Sequence, residues 1–308
     1  MNKDEILVSI RCAVYNHEPY IRQCLDGFVM QKTDFRFEAI VHDDASTDNS
    51  ASIIREYAER YPDIIKPIYE TENQFSKKDG SLMRIITEAC RGKYYASCEG
   101  DDYWTDPLKL QKQVDYMESH PHCAMVFGNA IEHWEDDFRP DKLFADIEDR
   151  DYSGIELSDK WIVPTATTLY KSSVYDTPLA KQSVLSGRFF ANDLPLCLSC
   201  AAMGSIHAFS DVFSVYRRLP SGFWRSLDAK GRIRMGKDRE LLYDVFGKRY
   251  RNSTIPMALY HYQRAWQIAK DENNMQLKKE AFRRLFKLAV FFPDLAVKHL
   301  LKIIKERG

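Results

Sequence analysis

The chain has 308 residues, of which 44% are hydrophobic and 29% are charged, and its formal net charge is -1. This balance excludes a general electrostatic attraction to nucleic acid, so an anionic ligand needs a local site. The seven cysteines are scattered, which is typical of buried thiols in a reducing compartment and not of a disulfide framework. The amino-terminal stretch is unlike a signal peptide, and no apolar run approaches the roughly 20 residues that cross a bilayer. We therefore expect a cytoplasmic protein.

Strands and helices alternate with short connections from residue 6 to about residue 105. Apolar runs predict strands at 6–14, 37–41, 64–69 and 93–98, and segments with helical spacing separate them. This alternation is typical of a doubly wound parallel sheet, whose ligands bind beyond the carboxyl ends of the strands.

Polar residues follow three of these strands. Asn16 follows the first, Asp43 and Asp44 follow the second, and Asp101 and Asp102 follow the fourth. Adjacent carboxylates are costly to hold together without a cation, because like charges repel at close range. An isolated Asp-Asp pair also suits a turn with one capping and one solvated carboxylate. The convergence of three strand-end clusters favours a ligand site.

The next segments predict further elements of the same fold. A helix is predicted to begin at Pro107 with Asp106 as its cap. The acidic, poorly periodic stretch from about 132 to 152 predicts an exposed loop. Asp193 stands at the start of an apolar helix, where an aspartate is by default a cap. A basic loop that contains glycine follows at 217–224.

The pattern is helical from Ile233 to the end, and the last helices, 278–307, are rich in lysine and arginine and carry an apolar face. Such a face either packs against the rest of the protein or rests on an anionic membrane. We favour packing, with peripheral contact at the inner face of the membrane as the alternative.

In order and spacing, the motifs resemble those of the family 2 glycosyltransferases, which are inverting enzymes with the GT-A fold. Residues 8–16 are similar to the family's opening V-S-V-I-I-P-V-Y-N, and 42–48 to its V-D-D-G-S-T-D. Residues 92–102 are similar to its G-x-Y…D-x-D region. Tyr216 to Gly222 resembles the loop that closes over the donor. The resemblance covers residues 6 to 224.

The resemblance implies an α/β fold of GT-A type (Rossmann-like), with a mostly parallel central sheet flanked by helices. The transferase domain would span 1–230, with a nucleotide-binding half at about 1–105 and an acceptor half at about 106–230. Residues 231–308 would form a C-terminal helical extension. The implied activity is inverting transfer of one sugar from a nucleoside diphosphate sugar, expected to be UDP-linked. The acceptor would be a hydroxyl of a glycan or lipid-linked molecule in surface polysaccharide synthesis, and Mg2+ or Mn2+ would assist.

The family's roles in the nucleoside pocket map onto the first two motifs. Asp44 would bond the nucleobase and Asp43 would support that loop. Ala13 and Tyr15 would line the pocket, and Asn16 belongs to the same donor-binding set.

The roles in diphosphate binding and catalysis map onto later residues. Asp101 would lie at the ribose, Asp102 would hold the metal, and Asp193 would be the general base. The candidates to support the phosphates are Arg84, Arg217 and Arg218.

Three departures from the family pattern matter. Ala13 replaces the usual proline. Leu219 stands where many relatives have a histidine that helps to bind the metal, so the site would have one protein ligand fewer. The chain also lacks the Q-x-x-R-W motif of processive synthases, which favours single-sugar transfer over polymer synthesis.

Two alternatives stay open. A nucleotidyltransferase of similar fold would normally carry a glycine-rich loop after the first strand, but 15–19 contains no glycine. A non-catalytic sugar- or nucleotide-binding scaffold is favoured by Leu219 and opposed by the intact Asp102 and Asp193.

Overall fold

The computed structural model describes residues 5–220, 222 and 227–307. Residues 221, 223 and 224 of the predicted basic loop therefore lie outside the described residues. The chain divides into two compact units. The first comprises Met1–Leu157, Trp161–Arg188 and Leu196–Leu219, and the second comprises Ser158–Lys160, Phe189–Pro195 and Pro220–Gly308. The domain boundary near residue 230 stays a prediction.

The first unit contains a ten-stranded sheet. Its strands are β1 (Ile6–Val14), β2 (Arg36–Asp43), β3 (Ile65–Tyr69), β4 (Tyr94–Ser97), β5 (Tyr103–Trp104), β6 (Cys123–Trp134), β7 (Lys142–Leu143), β8 (Arg150–Tyr152), β9 (Leu169–Lys171) and β10 (Ser205–Arg218). The helices before the second unit's main segment are α1 (Ile21–Val29), α2 (Ser50–Arg60), α3 (Gln74–Lys77), α4 (Ser81–Ala89), α5 (Lys109–Ser119), α6 (Gly154–Asp159), α7 (Pro178–Gln182) and α8 (Asp193–Ala201).

The strand order is β3-β2-β1-β4-β9-β6-β10-β5, with β7 beside β6 and β8 beside β10. The pairs β3/β2, β2/β1 and β1/β4 are all parallel. Strand β9 then runs antiparallel to both β4 and β6, while β6 and β10 are parallel to each other. The predicted α/β fold with a central sheet flanked by helices is confirmed. The half of the sheet built from the first four strands is entirely parallel, and the other half is mixed.

Strand β1 is buried on both faces, as its composition predicts, but one face holds a cation. Ile10 and Cys12 belong to the apolar core on one side of the sheet. On the other side Arg11 donates to the hydroxyl of Tyr170 at 2.7 Å and to that of Tyr175. Burial alone would lower the pKa of Arg11, but the two tyrosine oxygens raise it above its ordinary value. The guanidinium is therefore kept protonated inside the protein.

Two local predictions were wrong. Helix α5 begins at Lys109, two residues after Pro107, because the Asp106 carboxylate accepts the amide of Leu108 at 2.8 Å in a preceding turn. The acidic stretch is also not a continuous loop. Strand β6 extends to Trp134, and the acidic stretch also contains the short strands β7 and β8, which pair with the sheet. This pairing satisfies backbone hydrogen-bonding groups, and a pattern of charged side chains does not predict it.

The second unit has its own apolar core, formed by the helices α9 (Ala229–Phe246), α10 (Arg251–Asp271), α11 (Met275–Phe291) and α12 (Pro293–Arg307). Leu288 and Leu295 are buried in that core, whereas Phe291, Leu300 and Leu301 of the predicted apolar face are exposed. The packing prediction therefore holds for only part of this face. Among the described helices, none combines the length and the apolar character needed to cross a membrane.

Candidate active site

The carboxyl ends of β1, β2 and β4 meet at one edge of the sheet. The carbonyl of Val14 accepts the amide of Asp44 at 2.8 Å, and the carbonyl of Ala13 accepts the amide of Gly100 at 3.0 Å. A side chain at Gly100 would come within 2.8 Å of the His17 ring, so this close approach of the loops needs glycine. The three polar clusters are thus brought together as predicted.

Asn16 joins the loop after β1 to the loop after β2. Its backbone is in the left-handed region, with φ of 55°, which an asparagine tolerates better than most residues. Its Oδ1 accepts the amide of Thr47 at 2.7 Å, and its own amide donates to Ser46 Oγ at 2.9 Å. Tyr15, just before it, is exposed. Asn16 therefore fixes the rim of the site, and Tyr15 is open to a ligand.

Asp43 and Asp44 are both buried but have different surroundings. The two carboxylate oxygens of Asp44 accept the amides of Gln74 and Phe75, at 2.6 and 3.0 Å, in the first turn of α3. Asp44 thus supports a neighbouring loop, which is the kind of role predicted for Asp43. The Oδ1 atom of Asp43 is buried and, within the described part of the chain, has no hydrogen-bond partner. A buried oxygen of this kind favours a ligand that brings a donor.

Asp101 and Asp102 form a turn after β4, and Asp102 is almost fully buried. Asp102 Oδ1 accepts the amide of Arg217 at 2.9 Å. Burial raises the pKa of Asp102 well above its ordinary value, and the charge of Asp101 raises it further. A divalent cation would favour the ionised carboxylate, and Mg2+ and Mn2+ prefer oxygen ligands. The residues of this turn therefore fit such an ion.

Arg217 holds this turn and is not available as a loose phosphate ligand. Its Nη1 donates to the carbonyl of Asp101 at 2.6 Å, and its Nε donates to Glu135 Oε1 at 2.6 Å. A further hydrogen bond joins its guanidinium to Gln23. Sequence analysis missed Glu135 and Gln23, which lie 82 and 194 positions from Arg217 in the chain. No local pattern could have indicated either of them.

Arg84 lies in α4 of the first unit. Its Nη1 donates to the carbonyls of Asp79 and Leu185, at 2.6 and 3.3 Å. The second of these bonds joins α4 to the segment after α7. Its assignment to the phosphates stays a prediction.

A protein-only metal cage is absent from residues 5–220, 222 and 227–307. No three histidine, cysteine, aspartate or glutamate side chains there are grouped so that they could hold an ion. An ion at Asp102 would therefore need oxygen atoms from a bound ligand and from water.

Asp193 belongs to the second unit, where it begins α8. Just before it, the amides of Phe190 and Ala191 donate to Asp238 Oδ2 at 2.9 and 3.1 Å, and the Arg234 guanidinium lies 4.1 Å from the Phe190 ring. Asp238 is buried in α9, and burial raises its pKa to about 6. It anchors the segment that leads into Asp193. Sequence analysis missed it because it lies inside a helix with no motif.

Comparison with known proteins identifies the family. Residues 9–176, more than half of the chain, match the sequence profile of Glycosyl transferase family 2. The chain belongs to glycosyltransferase family 2. The matched range contains the strand ends of β1, β2 and β4, together with Asp101 and Asp102. The transferase assignment and the family expected from the motifs are therefore confirmed.

Two relatives show how far the similarity extends. The transferase is 38% identical to an uncharacterised protein of Mycobacterium tuberculosis over 221 residues, which are 71% of this chain and 61% of that protein. It therefore spans less than two thirds of that relative's length. It is 31% identical over 121 residues to TuaG of Bacillus subtilis, covering 39% of this chain and 45% of TuaG. The name of TuaG describes a glycosyltransferase of teichuronic acid biosynthesis.

Solved structures share the fold at low sequence identity. S. aureus TarS in complex with UDP-GlcNAc matches with a TM-score of 0.61 and 15% identity, over 94% of this chain and 82% of that one. A mannosyltransferase from Pyrobaculum calidifontis in complex with GDP-Man and Mn2+ matches with a TM-score of 0.58 and 16% identity, over 99% and 88%. These matches confirm the predicted GT-A type of fold.

Loss of the Arg217 guanidinium should destabilise the first unit. We expect Arg217→Met to lower the free energy of unfolding by about 3 kcal/mol, because it leaves Glu135 and the carbonyl of Asp101 without their partner. Urea titration measures the change. The control is Arg84→Met, because the Arg84 side chain is 42% exposed. This substitution should lower the free energy of unfolding by less than about 1 kcal/mol. Equal losses would contradict the role assigned to Arg217.

The stability of the second unit should depend on the protonation of Asp238. A raised pKa means that the folded state binds the proton more tightly, so this contribution is full below the ordinary value of 3.8 and is lost as pH rises through about 6. As the pH rises from 4 to 7, we expect the free energy of unfolding of Asp238→Asn to increase by about 2 to 3 kcal/mol relative to that of wild type. Urea titration at both pH values measures the gain.

Asp244→Asn is the matched control for Asp238→Asn, because Asp244 is an exposed residue of the same helix. It should show no comparable gain. A pH dependence shared by both variants would mean that the burial of Asp238 is not its cause.

Proposed function

We propose that the enzyme transfers one sugar, with inversion, from a nucleoside diphosphate sugar to a hydroxyl of a glycan or lipid-linked acceptor in cell-envelope polysaccharide synthesis. The reaction would take place in the cytoplasm. The observation that carries the proposal is the meeting of three polar strand ends, with the buried Asp102 carboxylate and with Asp43 Oδ1, which has no hydrogen-bond partner among the described residues. The UDP-GlcNAc bound to TarS and the GDP-Man bound to the mannosyltransferase support a donor of this class. Of the two, the TarS complex supports a UDP-linked donor.

The nucleoside would bind beside the ends of β1 and β2. Tyr15 is exposed and Ala13 is partly exposed next to it, so they can form a wall for the base and ribose. Asp44 would act by holding α3 beside the base, because both of its oxygens accept amides there. Asp43 Oδ1, which no described residue donates to, is the stronger candidate to accept an N–H group of the base.

The diphosphate would bind at the turn after β4, with Asp101 at the ribose and Asp102 as the protein ligand of Mg2+ or Mn2+. The ion would stabilise the negative charge that develops on the departing diphosphate. Arg217 would hold the two aspartates in position, because its backbone amide donates to the Asp102 carboxylate and its guanidinium donates to the carbonyl of Asp101. The Mn2+ bound to the related mannosyltransferase supports a divalent ion.

Asp193 would be the general base. As the acceptor oxygen bonds to the anomeric carbon, its proton would pass to the Asp193 carboxylate, and the electron pair of the breaking bond would stay with the diphosphate. Asp238 would keep Asp193 at the start of α8 by anchoring the residues before it.

Donor binding should depend on Asp102 and on the metal. We expect one nucleoside diphosphate, tested first as UDP and then as GDP, to raise the melting temperature of the protein by about 5 °C in the presence of Mn2+. The nucleotide is added at about a hundredfold excess over its Kd. Asp102→Asn should abolish the rise, whereas Asp115→Asn, an exposed residue of α5, should keep it. A rise that is unchanged in Asp102→Asn would contradict the metal assignment, and no rise with any divalent ion would contradict the donor class.

Catalysis should depend on Asp193 without affecting donor binding. We expect Asp193→Asn to lower the rate at which the nucleoside diphosphate is released from the sugar donor by about 10²- to 10⁴-fold. The donor used carries the nucleoside diphosphate that stabilises the protein, and the rise in melting temperature should be unchanged in the variant. Asp159→Asn, an exposed residue of the same unit, is the control. Full turnover in Asp193→Asn would remove it as the base. Donor binding without turnover in the wild type would instead support the non-catalytic scaffold.

A further inference from the structure

Helix α11 carries an exposed apolar stripe. Met275, Phe282, Phe286 and Val290 are 57%, 58%, 63% and 60% exposed, respectively. Their spacing of seven, four and four positions places them on one face of the helix. Ala281 and Leu288, on a different face, are buried in the core of the second unit. The helix therefore has one apolar face for its own core and a second one that nothing in the described unit covers.

Basic residues flank the stripe. Helix α11 contains five lysines and arginines and one acid, Glu280. That acid pairs with Lys237 of α9 at 2.7 Å, while Lys279 and Arg283 are exposed beside the phenylalanines. The exposed face therefore combines large apolar side chains with positive charge.

A groove runs along the same face between α10 and α11. Its volume is about 340 Å³, and its lining is mostly apolar atoms and the stems of basic side chains. The lining residues are Trp266, Met275, Lys278, Lys279, Phe282 and Arg283. Lys278 lies 5.6 Å from the centre of the Trp266 ring. An aromatic ring with a cation next to it suits the boundary between lipid headgroups and acyl chains.

Helix α12 repeats the pattern. Val297, Leu300 and Leu301 are more than half exposed, and the neighbouring Lys298 and Lys302 are exposed as well. Two successive helices thus combine exposed apolar residues with exposed lysines.

We propose that the exposed faces of α11 and α12 dock the protein onto an anionic bilayer surface, with Phe282 and Phe286 among the lipid headgroups. The charge favours this occupant over a second copy of the chain, because a symmetric dimer through α11 would bring two basic faces together. Negative lipids instead complement the basic residues, and the apolar stripe supplies area to bury. Helices of this kind lie in the interface and do not cross the membrane.

Vesicle co-sedimentation of the full chain tests the proposal. We expect at least about tenfold more binding to phosphatidylcholine vesicles with about one third phosphatidylglycerol than to phosphatidylcholine alone, and a loss of most binding at high salt. Phe282→Ser with Phe286→Ser should lower binding to the anionic vesicles about tenfold or more, because the inserted apolar area is lost. Lys279→Glu with Arg283→Glu should do the same by reversing the charge.

The matched control is Phe138→Ser, since Phe138 is 60% exposed in the first unit and should leave vesicle binding unchanged. Circular dichroism of each variant verifies that it is folded, and the charge pair keeps the test valid if the serine pair does not fold. Sedimentation velocity without vesicles tests the competing occupant. Equal binding to both vesicle types, no binding, or a dimer that Phe282→Ser with Phe286→Ser dissociates would each overturn the proposal.

Discussion

The site depends on how two neighbouring carboxylates are held at the end of a buried strand. Like charges at this distance repel, and burial already raises the pKa of Asp102. Arg217 offsets both costs, because its amide bonds to Asp102 and its guanidinium bonds to the carbonyl of Asp101. Arg217 lies near the end of β10, 115 positions from Asp102 in the chain. The mixed half of the sheet thus contributes a residue to the turn in which the parallel half ends.

The rest of the candidate site is held together by hydrogen bonds within the chain. Backbone hydrogen bonds join the ends of β1, β2 and β4, and Asn16 ties two of the loops together. Asp44 is engaged by the first turn of α3, whereas Asp43 keeps one buried oxygen without a partner among the described residues. Such a site loses little conformational entropy on binding. A donor N–H group and a divalent ion would supply the two partners that this arrangement needs.

Local patterns predicted the strand ends and the family, because strand composition and polar clusters are read within a few residues and parallel strands align their ends. Contacts between distant segments could not be predicted in this way. Arg217 is bonded to Gln23 across 194 positions, and Asp238 lies within α9 but anchors the segment before Asp193. Arg11 shows a further limit: an apolar strand pattern predicts burial but gives no sign that tyrosine hydroxyls will surround a cation. The strands in the acidic stretch likewise depend on backbone pairing with other strands of the sheet, which the local sequence does not show.

In the proposed function, the ends of β1, β2 and β4 form a metal-dependent nucleotide site. Hydrogen–deuterium exchange with mass spectrometry can test this site by comparing the free protein with the protein saturated by its nucleoside diphosphate and Mg2+. We expect slower amide exchange in 13–18, 43–48 and 99–104, with no change when either nucleotide or Mg2+ is added alone at the same concentration. Protection confined to other segments, or equal protection by the nucleotide without Mg2+, would contradict it.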